Sequence, residues 1–146
     1  MLIYGVCISH IEKINEEKFM TFLKELSDIG SGKEQYLSDF LETKKLNGDE
    51  YTINDWLCDF ESNGYYGLAA FLKRIIEDIE GIDISCDDPN GVSYLGISAD
   101  APWAFNSKTK FMSRQKFEDI LAKYINKVTD DVLNILWWSV NEDCDY

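Results

Sequence analysis

The sequence predicts an α+β fold, a four-stranded antiparallel sheet with helices on one face. Three observations carry this. Stretches rich in β-forming residues, 2–9 and 133–140, stand near the two ends of the chain. Apolar residues recur at helical spacing over 16–29, over 65–80 and again after Ser113. Between the second and third of these the period drops to two. The order is β, helices, β, β, α, β, which is the βαββαβ order of a ferredoxin-like split unit, with a helical insertion at about 34–63. The chain of 146 residues is one domain's length, and its 45% hydrophobic content is enough for a core.

Each element has a local reason. Residues 2–9 (LIYGVCIS) form the first strand. Asn15 caps the first helix, with Glu16 and Glu17 in the turn where the dipole favours anions. Phe19, Phe22, Leu23, Leu26 and Ile29 make its stripe, and Gly30 stops it. Tyr36, Leu37, Phe40 and Leu41 predict a short helix, followed by a loop over 44–50 through Asn47-Gly48. Trp56, Leu57 and Phe60 predict another, capped by Thr52 or Asn54 and broken by Asn63-Gly64. Leu68, Phe71, Leu72, Ile75, Ile76 and Ile79 stripe the clearest helix, 65–80, with Gly81 as its C′ residue. Ile82, Ile84 and Cys86 then alternate with Asp83, Ser85 and Asp87, a half-buried strand. Asp88-Pro89-Asn90-Gly91 turns the chain into a partner strand over 92–98. A loop follows at 100–105, with Pro102 and Trp103 placed as a cover over the core. Ser113 caps the last helix, and the sheet closes with LNILWWSV. Residues 141–146 are read as a frayed acidic tail.

Composition narrows the chemistry. The formal charge is −13, with 27 acidic residues against 14 basic. That disfavours nucleic acid, whose binding rests on cationic neutralisation of phosphates, and anionic membrane surfaces. No apolar run approaches the roughly 20 residues of a membrane span. The opening Met-Leu-Ile-Tyr-Gly-Val-Cys-Ile lacks a basic n-region, so a cytoplasmic location without a signal peptide is expected. Cys7, Cys58, Cys86 and Cys144 contain no Cys-x-x-Cys pair. Cys7 and His10 have ligand spacing but no second pair to complete a tetrahedron, and on a strand their side chains diverge. No metal, cofactor or catalytic residue is assigned. Asp87, Asp88 and Asn90 fail the calcium-loop spacing, because Pro89 falls inside it.

Charge is segregated along the chain. Residues 75–107 carry seven acids and no Lys or Arg, and residues 128–146 carry five acids and no base. The hairpin and the final strand, taken as sheet neighbours, concentrate this charge. Asp83 and Asp87 are expected on the open face, beside whichever of Trp137 and Trp138 points outward. The expectation is a non-enzymatic inhibitor, immunity or anti-defence type of protein. It would bind a basic, nucleic-acid-binding partner such as a nuclease by mimicking phosphates. Asp83, Asp87, Asp88, Glu142 and Asp143 are the anionic contacts and Trp138 the anchor. Two other classes are a homodimeric structural or regulatory module, and a small-ligand protein or enzyme with a pocket under the Pro102-Trp103 loop. Asp83 and Asp87 argue against a dimer through the open face.

Overall fold

The computed structural model describes residues 2–29, 35–62, 65–87, 92–99 and 113–139. They form an α+β domain with five helices and a four-stranded open antiparallel sheet. β1 (Leu2–Cys7) is followed by a short 3₁₀ turn, then α1 (Glu16–Ile29), α2 (Gln35–Asn47) and α3 (Ile53–Cys58). A two-residue-per-strand hairpin, β2 (Glu61–Ser62) and β3 (Tyr65–Tyr66), precedes α4 (Leu68–Glu80). β4 (Ser85–Asp87), β5 (Tyr94–Ala99), α5 (Arg114–Asn126) and β6 (Leu136–Ser139) complete the chain.

The sheet order is β4-β5-β1-β6, with every neighbour antiparallel. That is the strand order of the split βαββαβ unit. One consequence corrects the expected geometry. The final strand pairs with β1, so β4 and β6 are opposite edges of the sheet and not neighbours. Two strands separate them, about 14 Å at normal strand spacing.

Helices cover one face. Tyr4 and Val6 of β1, Cys86 of β4, and Leu95 and Ile97 of β5 point into the core. They meet Phe19, Phe22, Leu23 and Leu26 of α1, Leu72, Ile75 and Ile76 of α4, and Phe117, Leu121 and Tyr124 of α5. Phe71 ties the insertion to this core. Its ring lies 5.4 Å from Phe19, 5.6 Å from Tyr36, 5.7 Å from Trp56 and 5.2 Å from Phe60. No described helix is long and apolar enough to cross a membrane.

Several boundaries differ from the sequence expectation, each for a local reason. The loop expected from residue 44 is helical to Asn47, because Glu42, Lys44, Lys45 and Leu46 are good helix formers. Gly48 ends α2 at φ +96°, its N–H donating to the Lys44 carbonyl. Thr52 caps α3 in a full capping box with Asp55. Tyr65 and Tyr66 pair with Glu61 and Ser62 and not with α4, because Gly67 takes φ +91° and donates to the Phe60 carbonyl. Gly81 caps α4 in the left-handed conformation, as its position predicts. The strand expected from residue 82 begins at Ser85. Lys73 Nζ donates to the Ile84 carbonyl at 2.9 Å and the Ile84 N–H donates to Glu77, so α4 occupies the backbone groups a longer ladder would use. The partner strand begins at 94 and the closing strand at 136. The predicted helix stop at Gly30, the Asn63-Gly64 break, the Asp88–Gly91 turn, the 100–105 loop and the 141–146 tail lie outside the described residues.

The two chain crossovers are pinned together. Asn15 caps α1 by accepting from the Lys18 N–H, and its side-chain amide donates to Asp130 at 2.7 Å. Asp131 accepts the Glu12 and Lys13 N–H groups, and the buried Thr129 hydroxyl donates to the Lys13 carbonyl at 2.6 Å. The segment entering α1 is thus fixed to the segment leaving α5.

Candidate functional site

The face of the sheet away from the helices is built by register. Ile3 pairs with Ser98 and Trp138, Gly5 with Gly96 and Leu136, and Cys7 with Tyr94. Across the next ladder, Gly96 pairs with Ser85 and Tyr94 with Asp87. Trp138, not Trp137, is therefore the outward tryptophan. Trp137 shares the helical side with Tyr4, its ring 5.0 Å away.

On the sequence reading this face is an open acidic surface. Ile3 and Cys7 on it are 0% and 1% exposed. Gly5 and Gly96 approach so closely that a Cβ on Gly5 would collide with the Leu95 carbonyl oxygen and stand 2.7 Å from the Gly96 Cα. The flat strip left by the two glycines admits the Trp138 indole, whose Nε1–H donates to the Gly5 carbonyl at 2.9 Å. From there its ring reaches Tyr94 at 5.7 Å and meets His10 edge-on at 5.6 Å. Trp138 is thus half-buried and engaged with its own sheet, while part of it stays accessible.

Of the proposed contact residues, Asp87 lies on β4 and Trp138 on β6, the opposite edge of the sheet. Asp83 is exposed, but it precedes β4 and so does not stand in the strand's polar row. Asp87 is the last residue of β4, at the register position of Tyr94. Asp88, Glu142 and Asp143 lie outside the described residues, as does the pocket expected under Pro102-Trp103. Tyr94 is the residue that sequence reasoning passed over: it links the Asp87 position to Trp138 across β5. An aromatic in the second strand of a predicted hairpin was the available signal.

The charge pattern also changes on folding. Glu77 pairs with Lys73 at 2.8 Å, Glu80 with Lys123 at 2.8 Å and Asp130 with Lys18 at 2.7 Å. The two base-free stretches of sequence therefore receive cations from elsewhere in the chain. Lys123 and the Tyr124 hydroxyl both donate to Glu80 and hold its carboxyl below its usual range. Lys18 and Asn15 do the same for Asp130. Burial, followed by the Glu80 hydrogen bond, pushes the Tyr124 hydroxyl up. Burial and a 2.7 Å hydrogen bond to Glu118 push Tyr4 up to about 12, although the Arg114 guanidinium lies over its ring.

Acidic residues also collect in the insertion. Residues 39–61 hold Asp39, Glu42, Asp49, Glu50, Asp55, Asp59 and Glu61 against Lys44 and Lys45. Lys44 is engaged by the Asp49 and Tyr51 carbonyls. The ion pairs formed among the described residues take Glu25, Glu77, Glu80 and Asp130, none of them in the insertion. Tyr51 senses this field: burial first, then Asp59, Asp55 and Asp39, raise its hydroxyl.

Beside these acids, α2, α3, β2 and α4 enclose an open cleft of about 400 Å³. Tyr36, Trp56 and Phe60 line it together with Asp39, Glu42, Glu61 and Arg74. The Trp56 Nε1–H donates to Asp39 Oδ2 at 2.8 Å, which orients that carboxylate. Among the described residues no group of three His, Cys, Asp or Glu side chains is placed to hold a metal. Compared with family models, curated proteins and solved structures, the chain matches none.

Proposed function

We propose that this chain is a non-enzymatic acidic binding protein of the inhibitor or immunity type. It neutralises a basic, nucleic-acid-binding protein by offering carboxylates where that partner otherwise meets phosphates. The observation that carries this reading is the charge left over after folding. Internal ion pairs absorb Glu77, Glu80 and Asp130, yet the insertion carboxylates Asp39, Glu42, Asp49 and Glu50 and the exposed Asp83 form none of the ion pairs described. A surface of one sign steers an oppositely charged partner and speeds its association, an effect that salt screens. In this reading Asp83 and the Asp87 position form one contact edge, with Trp138 reached through Tyr94.

The test is partner capture with charge reversals. Asp83→Lys with Asp87→Lys should leave the melting temperature nearly unchanged, since exposed charges contribute little to stability. The same pair should abolish capture of a basic partner, because like charges across an interface cost several kcal/mol. Glu16→Lys with Glu17→Lys, on the N-terminal turn of α1, controls for net charge. Equal weakening by both pairs would mean that net charge alone matters and that the edge is not a site. Capture unaffected by either pair, and insensitive to salt, would refute the reading.

A further inference from the structure

β6 is an edge strand by position and a central strand by composition. Among the described residues it pairs with β1 alone, so β4 and β6 are the two edges of the sheet. Natural sheets guard an edge with charged side chains or by occupying its backbone groups. β4 is guarded in both ways. It ends in Asp87, Asp83 precedes it, and Lys73 of α4 holds the Ile84 carbonyl just before it. β6 carries no guarding charge. Residues 132–139 (VLNILWWS) hold no charged side chain, which they share with the central strands β1 and β5. The run also faces water with apolar groups: Val132 is 93% exposed and Leu136 49%. Val132, Leu133 and Ile135 line a cavity of about 180 Å³ with Val6 and Ile125 of the core. The two carboxylates at its border are engaged, Asp130 by Lys18 and Asp131 by the Glu12 and Lys13 N–H groups.

The charge pattern selects the occupant. A basic partner gains nothing at a strand without carboxylates. A second copy of a chain with charge −13 is repelled almost everywhere else. Two copies related by a twofold axis normal to the sheet bring the same strand against itself, antiparallel, as every neighbour in this sheet already is. Any charge on that strand then stands close to its own copy, and like charges opposite each other destabilise a strand pair. β4 fails this condition through Asp87, and β6 meets it. We propose that β6 pairs with β6 of a second copy, joining the two sheets into one. Leu136 and Trp138, which share the outer face, then meet the same residues of the partner copy. This is a different contact from a dimer through the open face, and it does not depend on the acidic-binder reading. Each β4 edge, with Asp83 and Asp87, remains at an outer end of the joined sheet.

Sedimentation equilibrium of the full chain over a wide concentration range reads the association directly. The mass should rise to twice the 16.9 kDa of one chain and stop there, because a twofold contact closes on itself. Added salt should tighten the dimer by screening the repulsion between two acidic copies, the opposite of its effect on capture of a basic partner. Leu136→Lys places like charges across the axis while lowering the net negative charge of each copy. It should raise the dissociation constant about tenfold or more, a weakening that general repulsion between the copies does not explain. Leu46→Lys makes the same charge change on the exposed face of α2 and should not weaken association. Amide hydrogen exchange on the unaltered chain locates the contact without any variant: protection at 136–139 should grow with protein concentration. A chain that stays monomeric at every concentration and salt overturns the proposal. So does growth beyond the dimer, and so does a dimer whose β6 exchange is independent of concentration or whose affinity survives Leu136→Lys. None of these outcomes touches the acidic-binder reading, which stands or falls on partner capture.

Discussion

Phe71 offers the sharpest test of how the insertion is held. It is 0% exposed, and its ring neighbours come from three helices besides its own and from the segment after α3. Phe19 and Phe22 belong to α1, Tyr36 to α2, Trp56 to α3, and Phe60 follows α3. Phe71→Ala removes one ring from all of these contacts and leaves a cavity between helices that cannot all collapse inward together. Phe→Ala truncations in cores cost about 3–5 kcal/mol, and the number of aromatic partners places this one near the upper end. Typical domains have only about 5–15 kcal/mol in total, so the variant should be marginal. Urea denaturation followed by tryptophan fluorescence is the assay. With a slope of about 2 kcal/mol/M, a loss of about 4 kcal/mol lowers the midpoint by about 2 M. Phe71→Leu keeps the apolar bulk and should cost at most about 1.5 kcal/mol. Leu46→Ala is the control, since Leu46 is 87% exposed on α2 and should change stability by less than about 0.5 kcal/mol. A loss below about 1 kcal/mol for Phe71→Ala would refute the packing described here, and with it the attachment of the insertion through this ring.

Three further outcomes follow from the same geometry. Gly5→Ala drives a Cβ into the Leu95 carbonyl on the neighbouring strand, and should cost about 1–3 kcal/mol or more by thermal denaturation. Thr52→Ala removes the α3 capping box and should cost about 0.5–2 kcal/mol in the same assay. Glu80 has its folded carboxyl held below the ordinary 4.5, so its contribution is present above that pH and is lost as pH falls through the lower folded value; Glu80→Gln should flatten the acid limb of the stability profile measured by denaturation across that range.

The sequence showed the order of the elements because each signal was local. Asn15, Ser113 and Gly81 cap helices where their chemistry predicts. Ser85, Cys86 and Asp87 of the period-two run became β4, and the split βαββαβ order was realised. The errors fell where a residue's role depends on distant groups. Nothing near Ile82 announces that Lys73 and Glu77 will bond the Ile84 backbone and delay the strand. Nothing within Tyr65-Tyr66 reveals a pairing with Glu61 and Ser62. A helix propensity sum over 42–47 could have found the longer α2, because its residues favour helix and only the Asn-Gly pair argued for an earlier end.

The candidate site was less legible than the fold, because charge is read one residue at a time in a sequence and summed over space in a structure. Counting along the chain made residues 75–107 the negative pole. Folding brings Lys73 to Glu77 and Lys123 to Glu80 within that pole, and Lys18 to Asp130 in the second base-free stretch. The insertion stands out less in the sequence, because Lys44 and Lys45 lie within it. In three dimensions Lys44 turns onto the Asp49 and Tyr51 carbonyls. Asp59, Asp55 and Asp39 act together on the Tyr51 hydroxyl and, after burial, raise it. Asp39, Glu42, Asp49 and Glu50 of the insertion form none of the ion pairs among the described residues. The sheet edge offers a second contact whose aromatic member, Trp138, is already hydrogen-bonded to its own strand. If binding energy concentrates at one site, neutralising single charges in the insertion and at the sheet edge, Asp39→Asn against Asp83→Asn, should weaken partner capture unequally. Equal losses would instead describe a diffuse electrostatic coat, with no site in either place.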